Sequence, residues 1–204
     1  MRLALFLAFS LASPTAPSAQ TRPLESPATT VSDVTQAEWS QRWWQWAGSF
    51  EQSESPINDP SGAKCQAGQK GKVWFLAGTY GSRRVERTCT IPAGRYLFFP
   101  LVNYVVFRGP MSRSPCDDLK RTARSMTDEP SFLLLEVDGQ RFDRLEAHRQ
   151  ATSGCFQVPN SSVPAAANGY YVMLAPLSRG THIVNFGGLL PRLAQAVTYT
   201  LEVE

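Results

Sequence analysis

Residues 197–204 read Val197-Thr198-Tyr199-Thr200-Leu201-Glu202-Val203-Glu204. Apolar and polar side chains alternate without a slip, and a period of two belongs to a β-strand with one buried face. Val197, Tyr199, Leu201 and Val203 are expected to point inward. The residues upstream continue the pattern. Tyr170–Ala175 and His182–Phe186 have strand length, and Pro176-Leu177-Ser178-Arg179-Gly180 between them reads as a hairpin loop. Phe132–Val137 and Arg141–Leu145 flank Asp138-Gly139, a strong two-residue hairpin signal. Cys155–Val158 reads as a short strand, and residues 160–169 as a polar loop.

The first half supplies more strands and two helices. Val73–Ala77, Val85–Ile91, Arg95–Phe99 and Val102–Phe107 are runs of strand length, the last two divided by Pro100. Thr35-Gln36-Ala37-Glu38 has the spacing of a capping box and predicts a helix over residues 35–48. Trp39, Trp43, Trp46 and Phe50 fall on one face of it, with Trp44 to the side. Ser114 as cap, Pro115 at the first helical position and Asp117-Asp118 in the first turn predict a second helix over residues 115–127. Its expected inward stripe is Leu119, Ala123 and Met126. Residues 51–71 carry many breakers and no period, which marks a long loop of the kind that often holds function.

The fold class expected is mainly β: an antiparallel sandwich or jelly roll with two short helices. Residues 1–19 have the layout of a secretory signal peptide, with Arg2, the apolar run Leu3–Ala12 and a small-residue stretch ending at Ala19. That run is roughly half the length a membrane-spanning helix needs, so no membrane insertion is expected after cleavage. Residues 20–34, rich in Pro, Ser and Thr, read as a flexible lead-in, and residues 35–204 as a single domain. Removing Arg2 lowers the formal charge from +3 by one. So small a charge gives no reason to expect nucleic acid as a partner. The expected location is periplasmic or extracellular.

Cys65, Cys89, Cys116 and Cys155 are an even set in an exported chain, which favours disulfides. Sequential pairing, Cys65–Cys89 and Cys116–Cys155, is expected because each pair flanks one compact block. No C-x-x-C is present and only His148 and His182 would be available to help, so neither a metal nor any cofactor is expected.

The blocks of the first half resemble a group of exported bacterial proteins of unassigned function. They are the Trp-rich helix (Trp39, Trp43, Trp44, Trp46), Asp59-Pro60-Ser61-Gly62, Val73-Trp74-Phe75-Leu76-Ala77-Gly78, and Pro92-Ala93-Gly94 with Phe98-Phe99-Pro100. The likeness continues through Gly180-Thr181-His182. It implies an exported bacterial protein and carries no activity with it.

Candidate chemistry is sparse. There is no G-x-S-x-G elbow, H-E-x-x-H, P-loop or dinucleotide fingerprint. His182 and Asp59 are the catalytic candidates. His182 shares a strand face with Val184 and Phe186, the setting of a general base or of an ordinary core histidine. Asp59 sits where its carboxylate would either cap its own turn or face a pocket with Arg87. Asp59, Glu86, Glu136 and Asp143 are the acids a glycoside-cleaving pair would draw on, and none stands out by position. Trp44 and Arg87 are the ligand-binding candidates, Trp44 because the face of an exposed indole can stack on a sugar ring. The leading expectation is a binding protein for a glycan or other cell-envelope component. A polysaccharide-active hydrolase or lyase and a protein-interaction module working through exposed β edges or the 51–71 loop are the alternatives.

Overall fold

The computed structural model describes residues 23–81 and 84–204. The expected signal peptide, residues 1–19, lies outside them. The chain forms helix α1 (Gln36–Ala47), strands β1 (Val73–Phe75), β2 (Arg84–Ile91) and β3 (Tyr96–Phe107), and helix α2 (Cys116–Ser125). Strands β4 (Phe132–Val137), β5 (Gln140–Arg141), β6 (Arg149–Ala151) and β7 (Phe156–Gln157) follow, then β8 (Pro164–Leu174), β9 (Gly180–Leu190) and β10 (Leu193–Val203). They build two five-stranded sheets. The first has the order β1-β3-β8-β6 with β7 also on β8; the second has β2-β10-β9-β4-β5. Inner faces meet in a shared core, where Phe99 and Phe186 lie 4.4 Å apart across the sheets.

The expected sandwich is present, with two short helices, but its sheets are mixed. β1 runs parallel to β3, and β2 parallel to β10. The alternation of residues 197–204 is realised in full: Val197, Tyr199, Leu201 and Val203 are buried, and β10 is an interior strand.

Several local expectations are corrected. Pro100 does not divide two strands; β3 runs through it, with the register shifting between Pro100 and Val102. Leu76 donates to Phe98 O on the side away from β8, and alternation puts the nitrogen of Pro100 on that same side. Its missing N–H therefore costs no bond to β8. The residues 160–169 loop is a loop only at its start, because β8 begins at Pro164 and its small residues Ala165–Ala167 are buried. Pro176–Gly180 is no hairpin loop; it carries the chain from β8 in one sheet to β9 in the other. The lead-in is docked from residue 23 onward. Glu25 donates to Met173 O at 2.9 Å, Ala175 donates to Pro23 O at 2.7 Å, and Val31 and Val34 are buried beside the tryptophans. Apolar residues so far apart in a polar stretch leave no period to read.

Helix α1 forms as its sequence dictates. Thr35 Oγ1 accepts from Glu38 N–H at 3.2 Å, and Glu38 Oε2 accepts from Thr35 N–H at 3.0 Å. Trp39, Trp43 and Trp46 then pack onto Phe98, Tyr171 and Met173 on the outer face of the first sheet. Trp43 also donates to Leu76 O at 3.0 Å. Helix α2 begins one residue later than expected, with Pro115 as the cap, and buries Leu119 and Ala123 but not Met126. Both expected disulfides are present, Cys65–Cys89 and Cys116–Cys155. Two disulfides mark a protein of an oxidising environment. No helix among the described residues is long and apolar enough to cross a membrane.

Candidate functional site

A cleft of about 270 Å³ opens where the end of α1 meets the outer face of β3. Helix periodicity turns Trp44 and Ala47 toward the strand, and strand alternation turns Asn103, Val105 and Phe107 toward the helix. Gly48, Thr79, Tyr80, Tyr104, Val158 and Leu193 complete the lining. Tyr80 and Phe107 stand 66% and 42% exposed, high values for aromatic rings beside a cleft.

One buried hydroxyl organises the floor. Tyr171 OH accepts from Trp44 Nε1 and from Asn103 Nδ2, both at 2.9 Å. Burial drives the Tyr171 phenol far above its ordinary range, so it remains neutral. Asn103 can lie there because its register partner is Gly169: a Cβ on Gly169 would fall 2.5 Å from Asn103 Cβ. No described residue donates to Asn103 Oδ1, which leaves an acceptor for a ligand. Among the described residues that line it, none is charged and none is a histidine, cysteine or carboxylic acid. Such an arrangement suits an apolar group carrying a polar handle.

Of the residues singled out by sequence, Trp44 alone lines this cleft. It is half-buried rather than exposed, because its indole N–H is engaged with Tyr171. Arg87 is not at a surface; it is 2% exposed on the inner face of β2. Its guanidinium donates to the main-chain oxygens of Asp59 (2.7 Å), Ala77 (2.6 Å), Gly78 (3.0 Å) and Ile57 (3.0 Å). It therefore anchors the 51–71 loop to the sandwich. The Asp59 carboxylate turns away from it, accepting from Ser61 N–H (2.9 Å), Ser61 Oγ (2.7 Å) and Lys64 N–H (2.8 Å). Burial raises its pKa, these donors lower it by more, and it settles below the usual aspartate value. That is the turn-capping role.

His182 belongs to a third network. Nδ1 lies 2.7 Å from Asp138 Oδ2, while Nε2 lies 2.9 Å from Ser178 O and 3.3 Å from Ser178 Oγ. The trio has the residue types of a nucleophile, base and orienting acid. However, a carbonyl oxygen can only accept, so Nε2 donates to it and has no lone pair for the Ser178 proton. His182 and Asp59 share no hydrogen bond and no common partner. Among the other acids, Glu136 and Glu86 stand in one row of the second sheet's outer face, with Asn185 and Thr198 between them. Three strand spacings separate them by roughly 14 Å, beyond the reach of a glycosidase pair. Asp117 and Asp118 sit in the first turn of α2, paired with Lys120 and Arg121. No group of three metal-ligating residues occurs among the described residues.

Asn103, Tyr171, Tyr80, Val105 and Phe107 were not picked out by sequence. The available signal was Asn103 itself, a lone amide within the otherwise apolar segment Leu97–Phe107, interrupted only by tyrosine and proline.

No family model matches this chain, and no curated protein matches it. Among solved structures, the complex of PbICP-C with falcipain-2 is similar over 66% of this chain and 100% of that one, at 9% identity and a TM-score of 0.30. The solution structure of amebosin is similar over 59% of this chain and 96% of that one, at 11% identity and a TM-score of 0.22. Likeness of that degree carries no functional argument.

Proposed function

We propose that this chain is an exported bacterial binding protein for a cell-envelope component, and that the α1–β3 cleft is where it binds. The observation that supports this reading is a cleft whose described lining is aromatic and uncharged, with one amide oxygen at its floor that no described residue engages. The signal-peptide layout of residues 1–19 and the two disulfides support export. A glycan is the less favoured ligand, since each sugar hydroxyl wants a polar partner and the described lining offers only Thr79, Asn103 and the hydroxyls of Tyr80 and Tyr104 among mostly apolar groups.

The test is a thermal-shift screen of residues 20–204 against envelope polysaccharides, peptidoglycan fragments and peptides, repeated on the double variant Tyr80→Ala/Phe107→Ala. Both side chains are exposed, so their loss should leave the fold intact. A ligand at 100 times its Kd stabilises the native state by about 2.7 kcal/mol. A shift present in the native chain and absent in the variant places the ligand in the cleft. Shifts that survive in the variant, or none at all, would overturn the reading.

A further inference from the structure

Among the described residues, strand β3 has no main-chain partner on the side away from β8 along the half that floors the cleft. β1 covers it only at Tyr96–Phe98, and the chain leaves after Leu76 donates to Phe98 O. The next two carbonyls, Pro100 O and Leu101 O, are covered by Gln195 Nε2, each at 2.8 Å. From Val102 to Phe107 no described main-chain group pairs with this side of the strand.

The register says which groups are left over. Arg108 N–H donates to Pro164 O at 2.9 Å, one step beyond the Phe107–Ala165 pair. In an antiparallel ladder the bonded residues alternate. Val102, Tyr104 and Val106 therefore bond to β8, and Asn103, Val105 and Phe107 present their N–H and C=O groups at the open edge. The side chains of these same three residues floor the cleft. Main-chain recognition and side-chain recognition thus converge on one row of residues, roughly 6.8 Å apart. Proteins commonly blunt an open edge with Lys, Pro or a bulge. The segment from Val102 to Phe107 has no charge and no proline, and the register shift lies at its covered end.

Donors and acceptors alternating at that repeat are matched by an extended polypeptide; a glycan or an acyl chain does not offer them. The cleft has room for about one side chain, and its described lining, which is uncharged, suits a neutral one. We infer that cleft and edge form one site, which takes an extended segment of a partner protein as an added strand along Asn103–Phe107 and buries one neutral, apolar or aromatic side chain against Val105. This rests on the cleft being the binding site and names the class of its ligand.

The test starts by selecting linear 12-residue peptides from a displayed random library on residues 20–204. The tightest peptide is then made with single N-methyl groups at successive positions and titrated calorimetrically. An added strand bonds through every second residue, so methylation should weaken binding about tenfold at alternate positions and little between them. Val105→Pro removes an N–H that β8 does not use, and should weaken the same peptide about tenfold while the chain still melts cooperatively. If that variant does not fold, the methyl scan on the native chain decides. Failure to select any peptide, a scan without period two, or unchanged affinity in a folded Val105→Pro variant would overturn the inference. So would sedimentation showing the edge closed by a second copy of this chain. A glycan shift abolished by Tyr80→Ala/Phe107→Ala, with no peptide bound, would sink the strand and leave the cleft; loss of both would sink both.

Discussion

Nδ1 of His182 lies 2.7 Å from Oδ2 of Asp138, so the first strand residues of β9 are tied to the β4–β5 turn. Asp138 Oδ1 accepts from Ile183 N–H at 2.8 Å, and His182 Nε2 reaches Ser178 O on the far side. Both ring nitrogens meet acceptors, which favours the imidazolium. Partial burial pulls its pKa down, but the bonds to Asp138 and Ser178 and the nearby charges of Asp138 and Glu202 outweigh that and hold it above the ordinary 6.5. Its stabilisation is therefore complete below pH 6.5 and fades as pH rises through the raised value. Urea denaturation of the native chain and His182→Gln should differ most near pH 6 and converge in the alkaline range.

His148 has the opposite sign. It is buried, its Nδ1 has no partner among the described residues, and burial depresses its pKa below 6.5. Stability tied to the neutral ring is fully present above pH 6.5 and lost as pH falls through the lowered value. Replacing it, as His148→Gln, should flatten the acid limb of the stability profile below pH 6, measured by the same denaturation series.

Arg87 should matter to stability and not to ligand affinity. Arg87→Met strands the carbonyls of Ile57, Asp59 and Gly78 and leaves Ala77 O only a 3.5 Å bond from Tyr199 OH, and the loss should be on the order of 3–4 kcal/mol by urea denaturation. Arg87→Lys should recover little, because one ammonium cannot span oxygens arranged around a planar fork. Lost peptide or glycan binding in a fully folded Arg87→Met chain would contradict the anchoring role.

Gly169→Ala should both destabilise the sheet and distort the cleft floor. The added Cβ would sit 2.5 Å from Asn103 Cβ and 2.6 Å from its Cα, a backbone-limited clash with no flexible atom to yield. About 1–3 kcal/mol is the ordinary cost of such overpacking, which lowers Tm by roughly 2–12 °C for a chain of this size. Calorimetry reads the first effect, and altered affinity of any cleft ligand reads the second.

The disulfides should reduce in order. Cys65 and Cys89 are buried, whereas Cys116, which opens α2, and Cys155, just before β7, are half-buried. Timed dithiothreitol treatment with alkylation and peptide mapping should label Cys116 and Cys155 first. Closing loops of 24 and 39 residues, the two bridges are worth about 3.5 and 4 kcal/mol in chain entropy.

What was legible in the sequence was local. The Thr35–Glu38 box, the tryptophan face of α1 and the β10 alternation each depend on residues within a few positions of one another. So does the Asp138-Gly139 turn, where both residues take positive φ, 52° and 79°. The sandwich follows from adding such pieces. Which strands share a sheet does not, and Pro176–Gly180 shows why. A hairpin and a sheet-to-sheet crossing have the same composition, and only the partners of β8 and β9 distinguish them. The cleft was hidden for a related reason. Trp44 and Tyr171 are 127 positions apart, and Asn103 and Tyr171 are 68 apart. Arg87 was misjudged although its strand parity, shared with Cys89 and Ile91, pointed it inward.

Because β10 lies inside the second sheet between β2 and β9, that sheet stays in two pieces until residue 203 has been made. The pairing of Ile91 with Val203 joins early and late chain in parallel, the slow kind of closure. The tryptophan face of α1 waits almost as long for Tyr171 and Met173. A growing chain thus carries the tryptophan face of α1 without cover through most of its synthesis. Until those residues arrive, that face is open to non-native contacts, so the order of synthesis sets when the chain is most prone to aggregate.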